Sequence, residues 1–283
     1  MQVYRRTIQH TMLRRVLVDS GICELTMAHA KSRNALSLEL IRELKVALDD
    51  IHNDSTIRVV VLAAEGPAFS SGHNLKDLLS ARNDGGEDGF GVLDASSNGA
   101  AVLGTTFNEC SNLMQTMMHM HQPVIAKVNG VATAAGCQLV ATCDLAYASQ
   151  SSKFCTPGVN IGLFCTTPGV ALARAVGRKH AMHMLLTGDM IPAADAAAMG
   201  LINAAVPDED LNATVYGIAA KIAGKCQLAT RLGKSAFYKQ MDMAVPDAYA
   251  FASSVMTDNM RSHDAKEGIA AFLNKTTPRW TNQ

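Results

Sequence analysis

Three continuous apolar runs constrain the fold of this 283-residue chain more than any other feature. They are "IRVVVLAAE" (57–65), "PVIAKVNGVAT" (123–133) and "DLAYAS" (144–149). Continuous apolar runs are typical of strands that are covered on both faces, as in parallel sheets. Helices predicted from about Phe107 to Met120 and from about Ala135 separate the runs. Strand, helix and strand in succession indicate right-handed crossovers and an α/β core.

The regions around these runs divide the chain into three parts. Residues 1–12 form an N-terminal extension, 13–177 the α/β core and 178–283 a region whose patterns are helical. Within the core, "VLVDSGICELTMA" (16–28) predicts a hairpin, and Ser37 is placed to cap a helix. The stretch 80–106 is rich in Gly, Ser, Asn and Asp, and we expect a mobile loop or lid there.

Composition excludes several classes of protein. The chain has 25 Lys plus Arg and 25 Asp plus Glu, with a pI near 7.1, so nothing global favours nucleic acid or a membrane surface. Pro157 and Pro168 interrupt the longest uncharged stretch, which argues against a membrane span. Seven cysteines without a CxxC pair suggest free thiols in a reducing compartment. Four arginines and no acid precede Asp19, which fits a mitochondrial transit peptide or a basic tail of a cytoplasmic protein.

Two short stretches expose backbone N–H groups. "AEGPAFSSGHNLKDL" (64–78) and "TAAGCQ" (133–138) each follow a predicted strand and open a predicted helix. Backbone N–H groups at a helix start can bind a phosphate, a carboxylate or a developing oxyanion. An ordinary strand-to-helix turn would look the same, but two such turns could direct two donors at one carbonyl oxygen.

The chain resembles the enoyl-CoA hydratase/isomerase, or crotonase, superfamily. Five stretches in the family's order are similar to its motifs: "RNALS", "AFSSGHNLKDL", "VNGVATAAGCQLVATCDLAYAS", "FCTPGVNIGL" and "EGIAAFLNKTTPRW". The resemblance implies a crotonase-like spiral of ββα units followed by a helical C-terminal trimerisation region. It therefore implies a homotrimer, or a hexamer of paired trimers.

The resemblance also implies a site for an acyl-CoA or enoyl-CoA thioester. The thioester carbonyl would accept hydrogen bonds from the backbone N–H groups of His73 and Ala135, and coenzyme A would enter only as part of the substrate, with no other cofactor and no metal. The residues that would line the substrate site are Lys31, Arg33, Ala35, Ser71, Asn74, Leu75, Lys76, Gly136 and Asn160. Lys275 would contribute to the CoA site across a trimer contact.

The departures from the family pattern bear on activity. Gln138 and Gly158 stand where the resemblance places the two glutamates of the hydratases, and neither can act as an acid or a base. Gln138 could still orient a water molecule. The side chains that could substitute are His73, Asp77, Asn160, Cys165, Thr166 and Thr167, of which His73 titrates nearest neutral pH.

These residues favour an acyl-CoA-binding protein of fatty-acid metabolism, nominally a lyase, whose activity is weak or altered. The alternative is a non-catalytic acyl-CoA binder or a regulatory partner, and a third reading is a thioesterase that uses Ser71. The histidine pairs His180 with His183 and His119 with His121 lack an acidic third ligand, which argues against a metal site. Asp144 is expected to be a cap or a buried hydrogen-bond acceptor.

Overall fold

The computed structural model describes residues 6–9, 12–83 and 96–282, and within these ranges the strands form two sheets. The larger sheet has the order β1-β2-β3-β4-β6-β8-β11, antiparallel from β1 to β3 and parallel from there on. The smaller has the order β10-β9-β7-β5, with only β10 antiparallel. The strands are β1 (Arg6–Gln9), β2 (Leu13–Val18), β3 (Ile22–Met27), β4 (Val59–Ala64), β5 (Ala68–Ser70), β6 (Val124–Val128), β7 (Val131–Thr133), β8 (Leu145–Ser149), β9 (Lys153–Cys155), β10 (Ile191–Pro192) and β11 (Ala204–Val206).

Helices cover both faces of the larger sheet. They are α1 (Leu38–His52), α2 (Leu75–Asn83), α3 (Asn98–His119), α4 (Ala135–Thr142), α5 (Thr166–Ala175), α6 (Arg178–Thr187), α7 (Ala193–Ala198), α8 (Leu211–Ala223), α9 (Gln227–Gln240), α10 (Val245–Met260) and α11 (His263–Leu273). On one face, α8 packs Val215 against Val59 and Val61 of β4. On the other, α1 and α3 bury their apolar stripes in the main core, where Leu62 of β4 also lies. The predicted two-sided burial of the apolar runs is thereby confirmed.

Local predictions hold where sequence chemistry is specific. β2 and β3 form the predicted hairpin. The Ser37 hydroxyl accepts a hydrogen bond from the Leu40 N–H at 3.2 Å, so it caps α1 as expected. The short helix predicted from Ala135 is α4.

The structure differs from the sequence-based division at three places. β1 lies in the expected N-terminal extension, where it pairs with β2. Residues 80–83 and 98–106 of the expected loop are helical, because they extend α2 and α3, and residues 84–95 lie outside the described part of the chain. The C-terminal region contains β10 and β11, which are too short to give a strand pattern.

Buried charges attach the C-terminal helices to the core. The Lys234 ammonium of α9 donates to the Asp144 carboxylate at 2.7 Å and to the carbonyl oxygens of Met117 and Gln122. Tyr238 donates to the same carboxylate, and so does the Val124 N–H. The expectation that Asp144 serves as a structural acceptor is confirmed. In the described ranges no helix combines the length and the apolar character needed to cross a membrane.

Candidate functional site

Two strand-to-helix turns lie against each other at one end of the smaller sheet. β5 leads through Gly72 into α2, and β7 leads through Ala134 into α4, with β5 and β7 paired in parallel. A Cβ atom placed on Gly72 would lie 2.9 Å from the Ala134 Cβ and 3.4 Å from the Ala135 nitrogen. Gly72 has φ of +85°, so both its space and its backbone conformation require glycine.

The α4 turn is held in an unusual backbone conformation. Ala134 has φ of 48° and ψ of −117°, which L-residues with a side chain rarely adopt. Its N–H donates to the Cys155 carbonyl at 2.9 Å, which fixes the turn to β9. Gly136 approaches β5 so closely that a Cβ there would lie 2.4 Å from the Ser70 carbonyl oxygen. The start of α4 is therefore pressed against the end of β5, beside Gly72.

The two N–H groups singled out in the sequence are not used in hydrogen bonds among the described residues. In the described part of the chain, neither the His73 N–H nor the Ala135 N–H has a hydrogen-bond acceptor. Ala135 is the first residue of α4, so its N–H has no partner inside the helix. Unpaired donors from adjacent turns can hold one carbonyl oxygen and stabilise negative charge that develops on it.

The segment that carries the candidate CoA residues is bonded directly to the α2 turn. The Leu36 N–H donates to the Gly72 carbonyl at 2.7 Å, and the Ser71 N–H donates to the Arg33 carbonyl at 3.0 Å. Asn34, which the sequence reading missed, organises this segment with φ of 52°: its side chain donates to two carbonyls of the 65–68 turn and accepts from the His29 N–H. The sequence could have indicated this role, because asparagine adopts a positive φ more readily than most residues.

This bonding brings the cations expected to meet phosphates near the open N–H groups. Lys31, Arg33 and Lys76 are exposed, so their charges are free to meet an anion in solvent. Ala35 is buried in the same segment, whereas Leu75 is exposed at the start of α2.

Asn74 and Ser71 have local structural roles. The Asn74 side chain accepts a hydrogen bond from the Lys76 N–H, which places it at the start of α2. Ser71 donates to the Ser32 carbonyl at 3.3 Å and makes no bond to the His73 ring. Among the described residues, no basic side chain is hydrogen-bonded to the Ser71 hydroxyl.

Gln138 lies one helical turn beyond Ala135, on the same side of α4. Only 4% of the residue is exposed, and its Oε1 is buried without a hydrogen-bond partner. Such an oxygen is free to accept a hydrogen bond from a ligand or a water molecule. Thr156, also missed by the sequence reading, carries a second buried unpartnered oxygen just after β9.

Gly158 is buried and its side-chain space is already taken. A Cβ there would lie 2.9 Å from the Cys165 Sγ, and the Gly158 N–H donates a hydrogen bond to that sulfur. Burial raises the pKa of the Cys165 thiol, although the hydrogen bond from Gly158 opposes that rise. The thiol is therefore a weak candidate nucleophile.

The His73 imidazole faces a backbone carbonyl and an aromatic ring. Its Nδ1 lies 3.3 Å from the Leu36 carbonyl oxygen, and its ring centroid lies 5.3 Å from that of Phe107 in an edge-to-face arrangement. Burial lowers the pKa of His73, with the Leu36 carbonyl acting in the opposite direction. The Nε2 atom is buried and has no partner.

The other candidates are directed elsewhere or exposed. The Asn160 amide lies beside Gly188 at the end of α6, and Asp77 is exposed on α2. The His183 Nε2 lies 3.8 Å from the Asp189 carboxylate, while the His121 ring lies tilted against that of His52 with centroids 4.0 Å apart. Among the described residues, no group of three His, Cys, Asp or Glu side chains is arranged to hold a metal ion.

Comparison with known proteins agrees with this geometry. The family model described as "Enoyl-CoA hydratase/isomerase" matches residues 18–283. The mitochondrial enoyl-CoA hydratase domain-containing protein 3 of Xenopus laevis is 44% identical over 97% of this chain and 88% of its own length. The Homo sapiens protein of that name is 43% identical over 93% and 82%.

Solved structures are similar over nearly the whole chain. The crystal structure of human enoyl-CoA hydratase domain-containing protein 3 has a TM-score of 0.84 and 41% identity, covering 98% of this chain and 99% of that one. An enoyl-CoA hydratase from Mycobacterium smegmatis has a TM-score of 0.87 and 38% identity, covering 96% and 99%. The fold is the crotonase fold, and the chain belongs to the enoyl-CoA hydratase/isomerase family.

Proposed function

We propose that this chain binds acyl-CoA thioesters in fatty-acid metabolism and holds the thioester carbonyl with the N–H groups of His73 and Ala135. The observation that carries the proposal is the pair of unpartnered N–H groups on two turns so close together that a Cβ on Gly72 would lie 2.9 Å from the Ala134 Cβ. Each donor of such a pair typically stabilises a developing oxyanion by about 3 to 4 kcal/mol. Lys31 and Arg33, on the segment bonded to the same turn, would meet the phosphates of CoA.

The reaction should differ from ordinary hydration. At the positions that the resemblance assigns to the two glutamates stand Gln138, a neutral amide, and Gly158, which has no side chain. Loss of general acid–base catalysis typically costs about 10² to 10⁴-fold in rate. The chain is therefore a family member with slow or altered chemistry, and the alternative is a non-catalytic or regulatory acyl-CoA binder.

Compartment and assembly complete the proposal. The relatives named above are called mitochondrial, and the arginine-rich start of this chain fits a mitochondrial protein. A homotrimer or hexamer follows from the family resemblance, with Lys275 contributing across a subunit contact.

Binding is tested by titrating butyryl-CoA into the protein in a calorimeter, beside Gly72→Ala. The added methyl would lie 2.9 Å from the Ala134 Cβ at a φ of +85°, so it must displace the turn that carries one donor. We expect roughly tenfold weaker binding or worse, as for one lost hydrogen bond to a polarised carbonyl.

Gly104→Ala on α3 is the matched control, because nothing lies within 4 Å of its Cβ position. This variant should bind as the wild type does. Equal affinity in all three proteins would contradict the proposed carbonyl site. Lys31→Ala with Arg33→Ala should weaken the binding of CoA itself.

Activity is tested by following the conjugated-thioester absorbance of crotonyl-CoA. We expect no turnover or slow turnover by wild type and faster turnover by Gln138→Glu. A glutamate at Gly158 should be introduced together with Cys165→Ala, because the thiol occupies its space. Rapid hydration by wild type would refute the proposal of impaired chemistry, and inactivity of wild type with activity of the variants would favour the non-catalytic alternative.

A further inference from the structure

The described residues contain four buried side-chain polar atoms without a hydrogen-bond partner, and three of them belong to the two turns or to the residue that follows the Cys155 carbonyl bonded to Ala134. They are His73 Nε2, Gln138 Oε1 and Thr156 Oγ1, whereas the fourth, Gln122 Oε1, lies elsewhere. Of the three, only the imidazole can take up and return a proton near neutral pH. The question is which protonation state it holds in the site.

The hydrogen bond to Leu36 settles the tautomer of His73. A carbonyl oxygen only accepts, so Nδ1 must carry the proton and donate to the Leu36 oxygen. Burial lowers the pKa of His73, and no charged side chain contributes to that shift. The ring is therefore neutral at pH 7, with the basic lone pair on Nε2.

This lone pair belongs to the same residue as the N–H that is proposed to hold the carbonyl oxygen. The α-carbon of a bound thioester is two bonds from that oxygen. The Phe107 ring packs edge-to-face on the imidazole and keeps it desolvated. Among the described residues, Nδ1 has a hydrogen-bond partner and the buried Nε2 has none, so the Nε2 lone pair is not used by the protein itself.

We propose that the His73 side chain moves the α-proton of a saturated acyl-CoA, in place of the carboxylates that Gln138 and Gly158 do not supply. The C2–H bond breaks, its proton passes to Nε2, and its electron pair moves to the thioester oxygen as an enolate. The N–H groups of His73 and Ala135 stabilise that enolate. The imidazolium is stabilised through Nδ1 by the Leu36 carbonyl and then returns a proton to C2.

This inference rests on the proposed thioester site and predicts an exchange reaction. Incubated with butyryl-CoA in D2O, the wild type should introduce deuterium at C2, as measured by mass spectrometry. His73→Asn keeps the N–H and places an amide nitrogen near Leu36, but it has no basic lone pair. We expect exchange to fall at least about 100-fold, the usual scale for a lost general base, while the affinity for butyryl-CoA is retained.

The pH profile separates a catalytic base from a structural role. The wild-type rate should rise as pH increases through the lowered pKa of His73, below the ordinary 6.5, and then level off. The profile should lose this step in His73→Asn. If circular dichroism shows that this variant is unfolded, His73→Gln takes its place and should lose the step as well. His180→Gln, at an exposed position on α6, should keep both rate and profile.

Two failures are distinguishable. If wild type and His73→Asn bind butyryl-CoA equally and exchange at equal rates, or neither exchanges, the role of His73 is refuted and the thioester site stands. If the wild type does not bind butyryl-CoA in the calorimeter, the proposed function fails, and this inference fails with it.

Discussion

At the scale of single residues, Ala134 stores backbone strain in the turn that presents the Ala135 N–H. A side chain at φ of 48° and ψ of −117° costs about 1 to 3 kcal/mol, whereas glycine adopts this region freely. We expect Ala134→Gly to raise the free energy of unfolding by about 1 kcal/mol, after the greater flexibility of glycine in the unfolded chain is subtracted. Urea denaturation measures this difference.

The same substitution at Ala141, further along α4, provides the comparison. There the backbone is helical, so glycine should lower the free energy of unfolding by about 1 kcal/mol. Opposite signs at the two positions are the expected result. A loss of stability at both would show that Ala134 is not strained.

At single residues, the sequence was enough to predict turns and a helix cap, but not which side chains contact each other. The turns at Gly72 and Ala135 are predictable because small residues follow apolar runs there. The cap at Ser37 is predictable because serine is a preferred N-cap residue. The unpartnered oxygen of Thr156 and the contact between Gly158 and Cys165 depend on which distant segments meet. No local pattern encodes such contacts.

At the scale of elements, α9 is held to the core by one buried ammonium. Lys234 is 6% exposed at its side chain and donates to Asp144 and to two backbone carbonyls. Lys234→Met removes the only cation that donates to that carboxylate among the described residues and takes a charged donor from both carbonyls. The Tyr238 and Val124 donors remain but do not neutralise the buried charge, so the free energy of unfolding should fall by about 3 to 5 kcal/mol.

The exposed Lys239 on α9 is the matched control, since its cation–π contact with Phe251 is worth about 0.5 to 1 kcal/mol. Lys239→Met should therefore cost far less than Lys234→Met. Adding Asp144→Asn to Lys234→Met should recover part of the loss, because no uncompensated carboxylate remains. Similar costs for the two lysines would contradict the anchoring role.

A second buried charge joins the larger sheet to α8. Glu24 of β3 accepts hydrogen bonds from Lys127 at 2.6 Å, from Tyr216 and from Thr26. Burial alone would raise the pKa of Glu24, but these hydrogen bonds and the charge of Lys127 outweigh it and lower the pKa below its ordinary 4.5.

A lowered carboxyl pKa in the folded state stabilises the protein at pH values above 4.5. That contribution is lost as pH falls from there through the folded-state pKa, because the unfolded chain then binds the proton first. The stability gap between wild type and Glu24→Gln should therefore be largest at pH 7 and narrow below pH 4.5, in thermal denaturation. A stability gap that stays constant with pH would refute this contribution of Glu24. Glu209→Gln, at an exposed position, serves as the control.

Element-scale prediction was reliable for long periodic segments and weak at boundaries. The apolar strands and α1 could be predicted from the spacing of hydrophobic residues. Burial on one or on two faces of an element determines that spacing. The first nine residues of α3 resemble a loop in the sequence because two glycines and an asparagine occur there and serines precede them. Capping by Ser97 and packing against α2 override those propensities.

At the scale of the whole molecule, the C-terminal helices leave large apolar side chains in solvent. α10 buries no residue, and Tyr249 on it is 74% exposed, while Phe272 and Leu273 at the end of α11 are 83% and 72% exposed. Apolar area of this kind is usually covered in an assembly. We propose that a second and a third copy of this chain cover it, as the family resemblance implies.

The wild type should accordingly have a mass of about three times the 30.1 kDa chain, or six times for paired trimers, in light scattering after size exclusion. Phe272→Asp with Leu273→Asp places two charges where subunits would bury apolar surface, so it should shift the protein towards monomer. Val46→Asp is the control, because it replaces an exposed apolar residue of α1, away from these helices. It should leave the mass unchanged. A wild type that elutes as a 30 kDa monomer at micromolar concentration would refute the assembly. It would leave the proposed thioester site untouched, because both turns belong to one chain.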